Sequence, residues 1–97
     1  MRSTETQVSE AVVQVLSTVA GGEATIKTLK QQLPNVLQLS DADLTPSVTR
    51  PGEALWEQQV RNIVSHRGTP GNFVHEGLLE YRPRRLALTA AGRARLR

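Results

Sequence analysis

The segment "LWEQQVRNIVSHR", from Leu55 to Arg67, constrains the fold most because it carries two different faces at helical period. At about 100° per residue, one side of this helix is apolar and must be buried. That side consists of Trp56, Val60, Ile63 and Val64. The other side carries amide, guanidinium and hydroxyl groups, contributed by Gln58, Arg61, Asn62 and Ser65, with Gln59 and His66 on the border. The segment therefore predicts a helix, roughly Glu53 to His66, that packs with one face and has a second use for the other.

Two further helices precede this segment. An apolar stripe at helical period predicts the first, made by Val8, Ala11, Val12, Val15, Leu16 and Val19. The motif "TETQ" at Thr4–Gln7 predicts a capping box before it, and Gly21-Gly22 ends it. The second helix is predicted from Thr25 as N-cap to Pro34, with Ile26, Leu29 and Leu33 on its apolar face.

The connection to the two-faced helix contains one short turn. We expect Ser40 to cap a single helical turn through Asp43, with Leu37, Leu39 and Leu44 docked on the core. "TPSVTRPGE" is then a loop, because it contains two prolines and a glycine.

The C-terminal part reads as a hairpin followed by a last helix. Asn72 is predicted to cap one turn, "FVHE", which Gly77 closes. "LLEY" and "LAL" are short strand candidates, and the four residues "RPRR" between them make a hairpin with a basic tip. Thr89 is the predicted N-cap of the closing helix.

Length and composition limit the chain to one small domain, residues 1–97. With one Trp, one Tyr and one Phe, the core must be aliphatic. The absence of cysteine excludes disulfides and thiolate zinc sites. The sequence has neither an apolar run long enough to span a membrane nor a signal-peptide pattern, so we expect a cytoplasmic protein without a membrane partner.

Charge is distributed unevenly along the chain. Residues 1–60 hold four basic and seven acidic side chains, whereas residues 61–97 hold eight arginines and two glutamates. Arginine forks onto phosphate and onto the edge of guanine in a way that lysine cannot. A basic surface can be merely solvated, but this concentration of arginine favours a polyanionic partner.

The order of elements, three helices, a basic hairpin and a closing helix, is the layout of a winged helix-turn-helix, a mainly α fold with a small β-hairpin wing. In that layout the third helix enters the major groove of DNA. "GLLEYRPRRLALTAAGRARL", from Gly77 to Leu96, resembles the wing and closing helix of many bacterial winged-helix domains. "RPGEALWEQQVRNIVSHR" is similar to the winged-helix modules of Mrr-type restriction endonucleases, although "RGTPGN" interrupts a connection that is more direct there.

The same region resembles winged-helix modules fused to modification-dependent restriction endonucleases. The shared residues are Arg61, Asn62, Ser65, His66, Arg67, Gly71, Asn72, Gly77 and Leu78. This resemblance implies binding to double-stranded DNA, in some of these modules with a preference for N6-methyladenine, and a nuclease domain that is fused or associated. Two alternatives remain open: a stand-alone transcriptional regulator, and a winged helix that binds protein.

The candidate DNA-binding residues come from the two-faced helix, its flanks and the hairpin. They are Arg50, Trp56, Gln58, Gln59, Arg61, Asn62, Ser65, His66, Arg67, Asn72, Arg82, Arg84 and Arg85. Asn62 suits a bidentate contact to adenine but can also be a solvated amide. Trp56 is either a core residue or an apolar contact for a methyl group. Mutual repulsion among Arg82, Arg84 and Arg85 is expected to be relieved by a polyanion.

We expect no catalysis by these residues, no cofactor and no metal. Restriction-type nucleases need an acidic residue and a Glu-x-Lys motif, and neither Lys27 nor Lys30 has a carboxylate two positions before it. His66, Asn72 and His75 imitate the letters of an H-N-H nuclease but fall at a helix end and a turn. If the parent protein is an endonuclease, its catalytic domain lies outside these residues.

Overall fold

The computed structural model describes residues 3–48 and 52–96. These residues form five helices and a three-stranded antiparallel sheet. In chain order the elements are α1 (Glu5–Ser17), β1 (Glu23–Thr25), α2 (Ile26–Gln32), α3 (Asp41–Leu44), α4 (Leu55–Ser65), β2 (Leu79–Arg82), β3 (Arg85–Leu88) and α5 (Ala90–Ala94). An α-rich domain with a small β-hairpin, as predicted, is therefore confirmed at this coarse level.

Helix α1 begins where the sequence predicts. The Thr4 hydroxyl accepts the Gln7 N–H at 3.1 Å, and the Gln7 side chain accepts the Thr4 N–H at 2.9 Å, which completes the capping box. The helix ends at Ser17, so Val19 lies outside it and packs on the core from the following turn. The positive φ of 79° at Gly21 and 66° at Gly22 then reverses the chain.

Helix α2 and the single-turn α3 are also capped by the predicted side chains. The Thr25 hydroxyl accepts the Thr28 N–H, and α2 passes into a 3₁₀ turn that contains Pro34. Ser40 and Asp43 form a second capping box at α3. Leu37 and Leu39 pack against the core as expected, but the prediction for Leu44 was wrong, since this side chain is exposed.

The described ends of the loop before α4, residues 45–48 and 52–54, are more regular than their sequence indicates. Pro46 and Ala54 form an isolated antiparallel bridge. The Ser47 N–H donates to the Glu53 carbonyl at 2.7 Å, and the Leu55 N–H donates to the Thr45 carbonyl at 2.9 Å. These bonds fix the start of α4, where the Glu57 carboxylate accepts the N–H of Ala54.

The sheet has the strand order β1-β3-β2. Strand β1 was not predicted, and it pairs with β3 in the register Ala24 to Leu86. Strands β2 and β3 form the predicted hairpin, but Arg82 pairs directly with Arg85. The connection is therefore two residues rather than four, and a positive φ of 63° at Arg84 after a proline suits such a tight turn.

One apolar core joins all these layers. Its fully buried large side chains come from α1, α2, α4 and the sheet: Val8, Val12, Val13, Leu16, Leu29, Leu33, Val60, Ile63, Leu79 and Leu86. Helix α4 therefore packs with its predicted apolar side inward, and its other side lies at the surface.

Candidate functional site

Helix α4 divides its polar residues into those that face outward and those that support the fold. Arg61, Ser65 and His66, which follows the helix, are exposed, whereas Gln58 and Asn62 are half-buried. The Gln58 amide oxygen accepts a hydrogen bond from the Ser47 hydroxyl at 2.8 Å. The exposed face of α4 is therefore narrower than the polar face that the sequence predicts.

Three of the predicted contact residues are instead buried. Trp56 is 6% exposed and belongs to the core, which excludes it as a surface contact in this conformation. Gln59 is 7% exposed, and its side chain donates to the Ser3 carbonyl and accepts from the Asn62 amide at 3.0 Å. The N-terminal segment covers this side of α4. The sequence of the helix, which places Gln59 between the apolar and polar faces, could not predict that contact.

Asn72 is the third buried residue and acts as a cap. Its amide oxygen accepts the N–H groups of Val74 and His75, and its amide nitrogen donates to the Ile63 carbonyl at 3.0 Å. The capping role is thus confirmed, and the side chain also ties the turn to the end of α4. The nearby His66 ring contacts the Glu5 carboxylate through Nδ1 at 2.7 Å, while 52% of its side chain is exposed.

A groove of about 600 Å³ opens between α2, the outward face of α4 and the hairpin. Its walls combine apolar, hydroxyl and cationic side chains. They are Thr25, Ile26, Lys27, Lys30, Arg61, Val64, Ser65, Tyr81 and Arg84. Of the predicted site residues, the groove brings together Arg61, Ser65 and Arg84.

Two cations of the groove share a carboxylate. Glu53 accepts a short hydrogen bond from Lys30 and lies 2.8 Å from Arg61 Nε through each carboxylate oxygen. Burial raises the pKa of Glu53, but the hydrogen bonds and charges of Lys30 and Arg61 outweigh it and hold that pKa below its usual range. Glu53 therefore stays ionised and neutralises part of the groove.

The other two cations of the groove are not neutralised in this way. Within residues 3–48 and 52–96, no carboxylate lies within ion-pair distance of Lys27 or Arg84. The backbone at Arg84 is held in place, because its carbonyl accepts the Ile26 N–H at 2.9 Å. These two side chains are the available positive charges at the junction of α2 and the hairpin.

The expected repulsion among the hairpin arginines is partly relieved. Glu23 of β1 accepts hydrogen bonds from Arg82 and from Arg85, and Arg82 also donates to Glu80 at 3.0 Å. The Arg85 hydrogen bond is the largest cause that lowers the pKa of Glu23, while Glu80 and Glu23 raise the pKa of Arg82. Part of the repulsion predicted among these three arginines is therefore relieved within the fold, because β1 brings the Glu23 carboxylate between Arg82 and Arg85.

Arg67 contributes to the site indirectly. Its guanidinium carbon lies 4.7 Å from the centre of the Tyr81 ring, and its Nη1 donates to the Val64 carbonyl. This stacking leaves the guanidinium exposed beside the groove and fixes the ring that forms part of the groove wall.

Sequence reasoning missed the roles of Lys27, Lys30 and Tyr81 in the groove walls, and that of Glu53, which pairs with two of the groove cations. Lys27 and Lys30 are three positions apart and so share one side of α2. Their spacing in the sequence was therefore a signal that could have been used. The role of Glu53 has no local signal, since it depends on α2 lying beside α4.

Arg50 lies outside the described residues. Among the described residues, no group of three or more His, Asp or Glu side chains could hold a metal ion. In the same part of the chain, none of the helices has the length and apolarity that crossing a bilayer requires.

Comparison with known proteins adds no relative: no family model, no curated protein and no solved structure matches this chain.

Proposed function

We propose that this chain is a winged-helix module that binds double-stranded DNA. The observation that carries the proposal is the groove, in which cations from α2, α4 and the hairpin turn face one space. DNA phosphates supply the charge that such a groove lacks, and phosphate contacts dominate the affinity of most DNA-binding domains.

The arrangement of the elements supports this proposal. Helices α1, α2 and α4 pack together, and a hairpin follows α4 and pairs with a strand that precedes α2. A helix of 11 residues is about 16 Å long. The major groove, about 12 Å wide, accepts such a helix side-on. In this docking Arg61 and Ser65 face DNA, and Gln58 and Asn62 stand at the edge of the contact.

The turn of the hairpin is two residues long and is tied to α2 through the Arg84 carbonyl. Arg84 and Lys27 would therefore bind backbone phosphates next to the groove that α4 occupies.

A role in a modification-dependent restriction endonuclease, with N6-methyladenine as the recognised base, rests on the sequence resemblance. Because Trp56 is buried, another apolar side chain would have to contact the methyl group. Val64 is half-buried, lines the groove and neighbours Ser65, which makes it the best placed apolar residue of α4. One buried methyl group contributes about 0.8 kcal/mol, or roughly fourfold in affinity.

The test is a salt titration of binding to a labelled duplex, followed by fluorescence anisotropy. We expect log affinity to fall with log salt at a slope of about −2 to −4, because two to four groove cations neutralise phosphates. Lys27→Ala and Arg84→Ala should each weaken binding and flatten the slope by about 1. Arg93→Ala is the matched control, since Arg93 is exposed on α5 and outside the groove.

No binding at about 50 mM salt, near the low end of the usual range, would overturn DNA binding altogether. Equal losses for Arg84→Ala and Arg93→Ala would place the binding surface elsewhere. A second arm compares duplexes methylated on both strands with unmethylated ones, and equal affinities there would remove only the methyladenine reading.

A further inference from the structure

We infer that Glu53 is a specificity-determining residue: its carboxylate occupies Arg61 and Lys30 in the free protein and so withholds them from non-specific phosphate binding. The inference rests on the proposed DNA binding through the groove. It concerns a residue that contributes no attraction to DNA and acts by repulsion and competition.

The hydrogen bonds show which donors Glu53 occupies, namely Nε of Arg61 and Nζ of Lys30, and the latter also lies 3.9 Å from a Glu57 oxygen. Both Glu53 oxygens lie 2.8 Å from Arg61 Nε, and one of them also accepts from Lys30. The Glu53 side chain is 12% exposed and that of Lys30 is 19% exposed, so water screens this pair little. Arg61, at 43%, is the exposed member of the three.

A carboxylate and a phosphate compete for the same donors. Both are anions with several acceptor oxygens, and both take charge-assisted hydrogen bonds from guanidinium and ammonium groups. A DNA phosphate that approaches Arg61 must therefore displace Glu53 or accept its repulsion. Lys27 and Arg84 have no such competitor among the described residues, so they act on any phosphate.

The backbone around Glu53 keeps the competitor in place. Its carbonyl accepts the Ser47 N–H at 2.7 Å, next to the bridge between Pro46 and Ala54. The carboxylate is thus carried by a residue whose backbone is hydrogen-bonded, two positions before α4.

Lower non-specific affinity raises the share of binding that depends on base contacts. Sequence-independent binding comes almost entirely from phosphate neutralisation, and specificity is a difference between two affinities that a repulsive element can enlarge. Glu53 thereby makes Arg61 available mainly where the rest of α4 already fits the DNA.

The experiment measures binding of a labelled 20-bp duplex of random sequence, a length of about two helical turns, by four variants. Glu53→Gln should bind roughly five- to tenfold tighter at about 50 mM salt, with a slope steeper by about 1. Arg61→Ala should change affinity less than about twofold in the natural background, yet remove most of the gain when combined with Glu53→Gln. Glu10→Gln is the matched control, because it frees Arg95 from a comparable ion pair outside the groove.

A gain in Glu53→Gln that equals that of Glu10→Gln, or that persists undiminished with Arg61→Ala, overturns the inference. If Glu53→Gln does not fold, Arg61→Ala alone decides: a loss as large as that of Lys27→Ala means that Glu53 withholds nothing. If the natural protein binds no duplex at all, the proposed DNA binding is wrong as well. If the natural protein binds DNA but Glu53→Gln shows no specific gain, only the inference about Glu53 is wrong.

Discussion

At the scale of single residues, Asp43 is the acid that accepts the most hydrogen bonds among the described residues. Its side chain is fully buried and accepts hydrogen bonds from the N–H and hydroxyl groups of Ser40 and Ser3. Ser3 and Asp43 are 40 residues apart in sequence, so this carboxylate joins the N-terminal segment to α3. Four donors for one buried charge explain how it is tolerated in the interior.

Replacing the charge should therefore be costly. Asp43→Asn turns one acceptor oxygen into a donor that faces other donors, and we expect a loss of about 2–3 kcal/mol in the free energy of unfolding. Urea denaturation measures it. Asp41→Asn, at an exposed position of the same turn, should cost less than about 1 kcal/mol, and equal effects at the two positions would contradict the assigned role of Asp43.

The same carboxylate makes stability depend on pH. Burial raises the pKa of Asp43, but the hydrogen bonds from Ser40 and Ser3 outweigh it and bring the pKa below its ordinary 3.8. Its contribution is complete above that ordinary value and is lost as the pH falls through the lower value of the folded state. Acid unfolding below pH 3.8 should consequently be shallower in Asp43→Asn than in the natural protein.

The sequence predicted the position of Asp43 in the α3 cap but not its partner. A capping box is local, because its two residues are three apart, whereas the bond to Ser3 depends on the packing of distant segments. The burial of Gln59 was missed for the same reason. Its position in α4 lies between the apolar and polar faces, and only the contact with the distant N-terminal segment buries it.

At the scale of elements, the junction between the hairpin and α5 is closed by one threonine and one glycine. The Thr89 hydroxyl donates to the Gly77 carbonyl at 2.6 Å and accepts the Gly92 N–H at 3.0 Å. A β-carbon on Gly92 would lie 2.1 Å from the Leu78 carbonyl oxygen, which is part of the backbone and cannot move aside. The glycine three residues after Thr89 thus has a packing reason.

Gly92→Ala should then destabilise the domain despite the better helix propensity of alanine. We expect a loss of about 3 kcal/mol, the upper end of typical overpacking costs. Gly68→Ala is the matched control, because nothing lies within 4 Å of its added β-carbon, and it should be neutral or slightly stabilising. Thermal unfolding of both variants measures the difference. Equal melting temperatures would mean that α5 can shift to accommodate the β-carbon without loss of stability.

Elements with a local signal were predictable from the sequence and β1 was not. Apolar period and capping residues located α1, α2, α3, α4 and the hairpin. Strand β1 has three residues and derives its identity from β3, about 60 positions later, so no local pattern marks it. The turn of the hairpin is shorter than predicted because Arg82 and Arg85 pair with each other and so belong to the strands.

At the scale of the whole molecule, folding brings acids of the first part of the chain next to arginines of the last part. Acids of the first part of the chain pair with arginines of the last part: Glu10 with Arg95, and Glu23 with Arg82 and Arg85. Of the eight arginines after residue 60, four are paired with carboxylates in the described residues. The net charge of +3 is therefore a better guide to the surface than the +6 of the last 37 residues.

Removing β3 should prevent folding because both pairings of the sheet depend on it. A chain that ends at residue 84 lacks the partner of β1 and β2, and also loses Leu86 from the core. We expect no cooperative thermal transition in circular dichroism for this chain, and a cooperative one for a chain that ends at residue 96. A sharp transition in the shorter chain would show that the helices are stable alone.

The central place of β3 in the sheet has a consequence for synthesis of the protein. Chains emerge from the ribosome N-terminus first at about 5–20 residues per second. Until Leu88 has left the exit tunnel, β1 has no strand to pair with and Glu23 has neither of its arginines. Residues 1–60 are net acidic, with seven acids and four bases. This stretch is thus repelled by ribosomal RNA until the later arginines emerge, and the cationic groove forms only as the domain closes.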